Sequence, residues 1–429
     1  MLPGLRLISA ALLPLGALSL SANAGLVRRD ALPVTLPFAR RLNLTGTAKL
    51  LELDQARAKA FKTRGASSSS GAGAFRQAAV FDTPATNQAV DYTATVGVGN
   101  PPQNFTLLID TGSSNTWVGA QLLTKPFVPT TSAATGNLVV RGEPNPEVMY
   151  GSGFFIGQEF TDTVHLGDLA IENQSFGGAL VAEGFEDVDG ILGIGPVALT
   201  CGTLIPAVTD CIPTVTDNAF TQGLISAHEI GISFEPSSSL NNANGELTFG
   251  GVDTSKFTGP LNFVPITSTS PASEFVGIDQ AITFGSADGP TVLASTSGVT
   301  DTGTTLLLIA TDAFDTYQNL TGATLDSTTG LLRLDPDQVG NLQSLFFHIG
   351  DNVLEFTPNA QMWPRALNSA IGGDADSVFL IVNDIGSLSG EGLDFIDGMT
   401  FLERFYYVFD IANSRVGFAT TAFTDATTN

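Results

Sequence analysis

From about residue 80 onward, apolar residues fall into short stretches separated by turn-forming residues roughly every ten positions. This rhythm predicts strands joined by tight connections. Thr163-Val164-His165-Leu166 and Leu169-Ala170-Ile171 flank Gly167-Asp168. Phe346 to Ile349 and Val353 to Phe356 flank Gly350-Asp351-Asn352, and Tyr406 to Ile411 faces Val416 to Ala419 across another turn. Each reads as a hairpin. Helical spacing is confined to short pieces, at Phe314, Tyr317 and Leu320 and from Pro336 to Phe347. The expectation is a mainly β protein in which helices are minor.

The N-terminus follows a different pattern. Arg6, the apolar run Leu7 to Leu20 and then Ala22-Asn23-Ala24 form the three parts of a secretory signal, predicting export and removal of residues 1–24. The run is broken by Pro14 and Gly16 and is short for a membrane span, and no later stretch is long enough. With 429 residues, 43% hydrophobic and 14% charged, the chain can fill two lobes. Its net charge of −24 would repel phosphate backbones, which argues against a nucleic-acid partner.

That charge is unevenly distributed. Residues 1–77 hold 11 basic and 3 acidic side chains, a net of +8, and the remaining 352 hold 7 and 39, a net of −32. A cationic leader on an anionic body predicts a removable segment, residues 25–77, held partly by electrostatics and loosened when acid protonates the body. The small-residue run Ala66 to Gly73 reads as a cleavable linker, with processing expected between Gly71 and Val80. An N-terminal lobe over 78–255 and a C-terminal lobe over 256–429 would follow.

One repeat carries chemistry. Asp110-Thr111-Gly112-Ser113-Ser114 follows the apolar strand Phe105 to Ile109, and Asp301-Thr302-Gly303-Thr304-Thr305 follows Ser297 to Thr300. A single Asp-Thr-Gly carries little weight in a chain this rich in Thr and Gly, but two with matched flanks suggest related lobes that each supply a carboxylate. Two carboxylates about 3 Å apart cannot both ionise, so they share a proton and offer an acid and a base at one pH. Such a dyad can activate water against an amide without metal or cofactor.

These motifs, with Tyr150-Gly151-Ser152-Gly153, Val188-Asp189-Gly190-Ile191-Leu192-Gly193 and Phe401 to Asp410, stand in the order found in pepsin-like aspartic proteases, which the chain resembles from about Ala78 to its end. Pro84 to Gln88 and Gly390 to Phe395 extend the likeness to the polyporopepsin type of basidiomycete fungi. The resemblance implies a bilobal β fold with a central cleft, an acid endopeptidase preferring bulky apolar residues on both sides of the cut bond, and Asp110 and Asp301 as the catalytic pair. It implies that Thr111 and Thr302 lock the two loops together, that Ser113 and Thr304 bond the outer carboxylate oxygens, and that Gly112 and Gly303 keep the loops thin. Tyr150 would sit on a flap with Gly151, Ser152 and Gly153, steadied by Trp117, and Thr305 would line the cleft.

The family often has three disulfides, whereas this chain has only Cys201 and Cys211, expected to pair in an oxidising setting. It also has Ile396-Asp397-Gly398 where the family usually has two apolar residues before the glycine, which puts a carboxylate behind the second catalytic loop.

Other signals are weaker. Gly193 to Ala198 matches a dinucleotide fingerprint formally, but Pro196 and Pro206 spoil the helix that should follow. His165, His228 and His348 are too scattered for a local zinc motif. Asn173 and Asn319 head glycosylation sequons, and Asn104 heads one less suited to modification. Phe154, Phe155 and Ile156 could form an apolar subsite or simply pack a strand. The reading is a secreted, monomeric zymogen acting on proteins or peptides, with its own propeptide as intramolecular inhibitor. The alternatives are a silent pepsin-like binding protein and a two-carboxylate glycosidase, the latter disfavoured because its acids stand farther apart in unlike surroundings.

Overall fold

The computed structural model describes residues 33–42, 50–68, 90–129, 134–140, 154–185, 188–239 and 241–429. The expected signal segment, the processing region from 71 to 80 and the flap residues Tyr150, Gly151, Ser152 and Gly153 lie outside them. The chain is mainly β. A 14-stranded sheet runs through the first half and continues into Phe405–Asp410, Arg415–Thr420 and Asn262–Pro265, and sheets of seven and three strands complete the second half.

All three sequence-read hairpins form. Phe154–Leu166 and Leu169–Glu183 pair across Gly167, Leu345–Ile349 and Asn352–Phe356 pair across Gly350, and Phe405–Asp410 pairs with Arg415–Thr420. Gly167 and Gly350 take φ of 58° and 59°, the left-handed conformation these turns require. The helix around Phe314 and Tyr317 also forms, as Thr311–Thr321. The helix expected over Pro336 to Phe347 does not. Only the short 3-10 turn Val339–Asn341 occurs there, and the end of the segment enters the strand Leu345–Ile349, whose alternating burial buries Leu345, Phe347 and Ile349. Pairing with Gly277–Phe284 on one side and Asn352–Phe356 on the other overrides the helical spacing.

The two Asp-Thr-Gly sequences occupy matching frameworks. Gln103–Asp110 runs parallel to Gly190–Gly193, which pairs antiparallel with Trp117–Val118. In the seven-stranded sheet, Thr291–Thr300 runs parallel to Phe395–Asp397, which pairs antiparallel with Leu307–Ile309. Each aspartate thus follows a strand buried on both faces, with Leu107 and Ile109 on one side and Val299 and Thr300 on the other shielded from water.

The leader contributes structure of its own. Its strand Val34–Leu42 lies inside the large sheet, bonded to Asn241–Phe249 on one edge and Val90–Val98 on the other. Its helix Leu50–Ser68 buries Leu50, Leu53, Asp54, Arg57 and Phe61, residues three to four apart along one face. No helix among the described residues is long and apolar enough to cross a membrane.

Candidate active site

Asp110 and Asp301 meet where the two frameworks face each other, both fully buried. Within each loop the bonding is nearly the same. Gly112 N–H donates to Asp110 Oδ1 at 3.0 Å and the Ser113 hydroxyl to Asp110 Oδ2, while Gly303 N–H donates to Asp301 Oδ1 at 3.1 Å and the Thr304 hydroxyl to Asp301 Oδ2 at 2.5 Å. The loops are tied by an exchange: Thr111 N–H donates to Thr302 Oγ1 at 3.1 Å and Thr302 N–H to Thr111 Oγ1 at 3.0 Å. The glycines are required by contact. A Cβ at Gly112 would stand 2.7 Å from Asp301 Oδ1, and one at Gly303 2.8 Å from Asp110 Oδ1.

Between the carboxylates lies a residue the sequence reading did not single out. Arg57 donates from Nε to Asp301 Oδ2 at 2.6 Å and from Nη2 to Asp301 Oδ1 at 3.0 Å, and Nη2 also meets Asp110 Oδ1. One guanidinium nitrogen is thus the common partner of the two inner oxygens. This fork suits a planar, permanently charged group. Burial pushes both acids up, and the charge of Arg57 opposes it. Arg57 bonds Asp301 twice, so Asp301 ends below the ordinary carboxyl range, whereas Asp110 stays above it with the charge of Asp301 adding to its burial. The guanidinium itself is desolvated, but the two carboxylates more than offset this and hold its pKa above the usual value.

The rest of the helix extends these contacts. The Asp54 carboxylate accepts Thr305 N–H at 3.2 Å and Leu306 N–H at 2.8 Å, and burial raises its pKa to about 7. Phe61 packs on Phe275 with ring centroids 4.5 Å apart. Gln55 Nε2 donates to Asp384 O at 2.8 Å, and Lys62 pairs with Glu391 at 2.8 Å. Farther back, Arg40 is enclosed, donating to Ser237 O at 2.6 Å and lying 3.5 Å from Glu403, which also accepts the Tyr92 hydroxyl at 2.8 Å. The expectation drawn from the charge asymmetry names no particular cation, and the structure buries Arg40 and Arg57.

Of the other sequence-read residues, Thr305 is buried beside the helix, and Trp117 is enclosed between Phe155, stacked at 4.5 Å, and Phe185. Phe155 therefore packs a core rather than lining an open subsite, while Ile156 is exposed. Cys201 and Cys211 are disulfide-bonded. Asn173 and Asn319 are exposed. No group of three or more metal-ligating side chains is found among the described residues.

The model of the eukaryotic aspartyl protease family matches residues 91–421. The chain is 58% identical over 347 residues to polyporopepsin of Irpex lacteus, covering 81% of this chain and 98% of that protein. It is 32% identical to cathepsin E of Aquarana catesbeiana, covering 79% and 82%. Its fold is similar to the crystal structure of aspartic proteinase from Irpex lacteus, with TM-score 0.74, 56% identity, and 79% of this chain and 96% of that one covered.

Proposed function

The chain belongs to the eukaryotic aspartyl protease family as a pepsin-like aspartic endopeptidase, and from that premise we propose that it is made as an exported precursor whose residues 25–77 occupy its own active site until acid releases them. The observation that carries this reading is Arg57, set between Asp110 and Asp301 on a helix that precedes the family match.

With Arg57 in place, neither aspartate can act as base, because both inner oxygens already accept from its guanidinium. Once the helix leaves, the carboxyls share one proton and a water takes the guanidinium's position. One carboxylate withdraws a proton from that water as it attacks the peptide carbonyl, and the other carboxyl protonates the carbonyl oxygen. Collapse of the tetrahedral species returns a proton to the departing amine. Gly303 and Gly112 keep room for a substrate backbone. The apolar contact of Phe61 with Phe275 supports a preference for bulky apolar residues beside the cut bond.

The sign of the pH effect follows from Arg57. Its charge lowers both aspartates relative to the same pair without it, so its grip is complete where both are ionised and fades as falling pH protonates them. Acidifying the full-length chain should start proteolysis and shorten it between residues 71 and 80. Arg57→Glu, which sets a like charge against the dyad, should raise the pH at which both begin. An unchanged threshold, followed by mass spectrometry and by cleavage of a denatured protein, would remove Arg57 from the inhibitory role.

A further inference from the structure

Behind the Asp301 loop lies a buried acid that the dyad chemistry does not use. Asp397 ends the strand Phe395–Asp397, opposite Thr300 on one side and Leu307 on the other, and its carbonyl accepts Asp301 N–H at 3.1 Å. Residue 397 is therefore one backbone hydrogen bond from the dyad. Its side chain is 0% exposed, and that of Gln280, on Gly277–Phe284, 1%. Gln280 Nε2 donates to Asp397 Oδ1 at 3.0 Å. The other oxygens of the same two side chains, Asp397 Oδ2 and Gln280 Oε1, are buried and have no hydrogen-bond partner.

Two acceptors left over in a pair already joined at its other ends call for a donor. An ionised Asp397 would bury a full negative charge against a single neutral hydrogen bond and leave the Gln280 carbonyl empty, and both cost stability. A proton on Oδ2 removes the charge and supplies a donor for Oε1.

Among the described residues no cation is bonded to Asp397: Arg57 is taken up by Asp110 and Asp301, and the buried Arg404 donates to the carbonyls of Phe423 and Ala426. The other ionisable neighbours are acids: Asp301 after Thr291–Thr300, and Tyr407, whose hydroxyl shares a 2.7 Å contact with Thr300. Asp279, beside Gln280, is bonded by Thr267 and Ser297. Asp394 is taken up by Thr296, Gly390 and Glu391, and Glu403 by Tyr92 and Arg40. Leu307–Ile309 carries no ionisable residue.

We propose that Asp397 is a resident carboxylic acid, protonated at neutral pH and paired in both directions with Gln280, and that this uncharged pair is the positioning support of the Asp301 loop. Burial accordingly raises its pKa to about 8, the Gln280 hydrogen bond opposing only in part. Because the folded value lies above the unfolded one, the stabilisation is fully present below the ordinary carboxyl pKa and is lost as pH rises towards 8.

Infrared spectra of the full-length chain at neutral pH, in an Asp110→Asn background that prevents self-digestion, test the pair. A protonated-carboxyl C=O band should vanish on adding Asp397→Asn and shift on adding Gln280→Leu, which deletes the amide donor. Through the window below pH 8, each pH unit should raise the unfolding constant about tenfold more when Asp397 is present than in Asp397→Asn. A difference spectrum showing only loss of an ionised carboxylate, or equal pH slopes, would overturn the assignment. If Asp397→Asn does not fold, an unmoved band in Gln280→Leu would do the same.

Discussion

The two Asp-Thr-Gly loops match where they face each other and differ behind. In front, each aspartate accepts a glycine amide and a hydroxyl, and the threonines exchange bonds across the interface. Behind, the register sets Leu192 opposite Ile109 in the first framework and Asp397 opposite Thr300 in the second. Leu192 is an ordinary buried aliphatic residue, whereas Asp397 brings a polar partner from another strand. The proposed chemistry requires a matched front. The rear is free to diverge as long as each solution leaves no unpaired charge.

The severest break of the front symmetry is Asp110→Asn or Asp301→Asn. Either removes one member of the acid and base pair, and peptide hydrolysis should fall by about 10²–10⁴-fold or more. A variant that keeps most of its turnover would end the dyad reading. Next comes an exchange of rears. Leu192→Asp copies the second loop's acid into the first without a Gln280 counterpart, and should destabilise the chain by about 1–3 kcal/mol, even when protonated, for its unsatisfied polar atoms. Chemical denaturation reads this directly, and an unchanged midpoint would show that the rear tolerates a carboxyl without a partner.

Smaller effects probe whether the outer hydroxyls are equivalent. Ser113→Ala and Thr304→Ala each delete one bond to a carboxylate, worth about 1.5–3 kcal/mol. The pH profiles of hydrolysis should shift upward on their acid side, because the carboxylate form has lost a donor. Profiles that coincide with wild type would rule out that support. The smallest effect lies in the leader. Asp54 is raised to about 7 in its buried place and would return to an ordinary carboxyl on the proposed release, so docking would take up a proton as pH falls through this window, and Asp54 by itself would oppose acid release. Asp54→Asn should remove about one proton from the pH dependence of docking, read from the pH at which the precursor begins to cleave substrate. The same dependence in both chains would contradict the burial of Asp54.

Much of this was legible in the residues. The duplicated Asp-Thr-Gly loops needed only their flanks to be recognised, and the hairpins at Gly167 and Gly350 announced themselves because a two-residue period met a turn glycine. The leader helix stayed hidden because its inward face mixes Leu50, Leu53 and Phe61 with Asp54 and Arg57. A face built to fit an active site carries charge where a core-facing helix would carry apolar residues, so it leaves no clean stripe. Gln280 had no signal at all: it lies 117 residues from Asp397 and only the sheet brings the two together. Between Pro336 and Phe347 the failure ran the other way, with local spacing suggesting a helix that cross-strand pairing overrode.

The leader strand Val34–Leu42 is stitched along both margins, not laid on an outer rim. Cutting the chain downstream would therefore sever it without unzipping it, so in the proposed release scission and departure would be separate steps. Its loss would open a gap about 10 Å wide, two interstrand spacings, lined on both banks by backbone groups deprived of partners. On the proposed release of residues 25–77, some extended segment would have to enter that slot, one strand wide, for the sheet to be whole again.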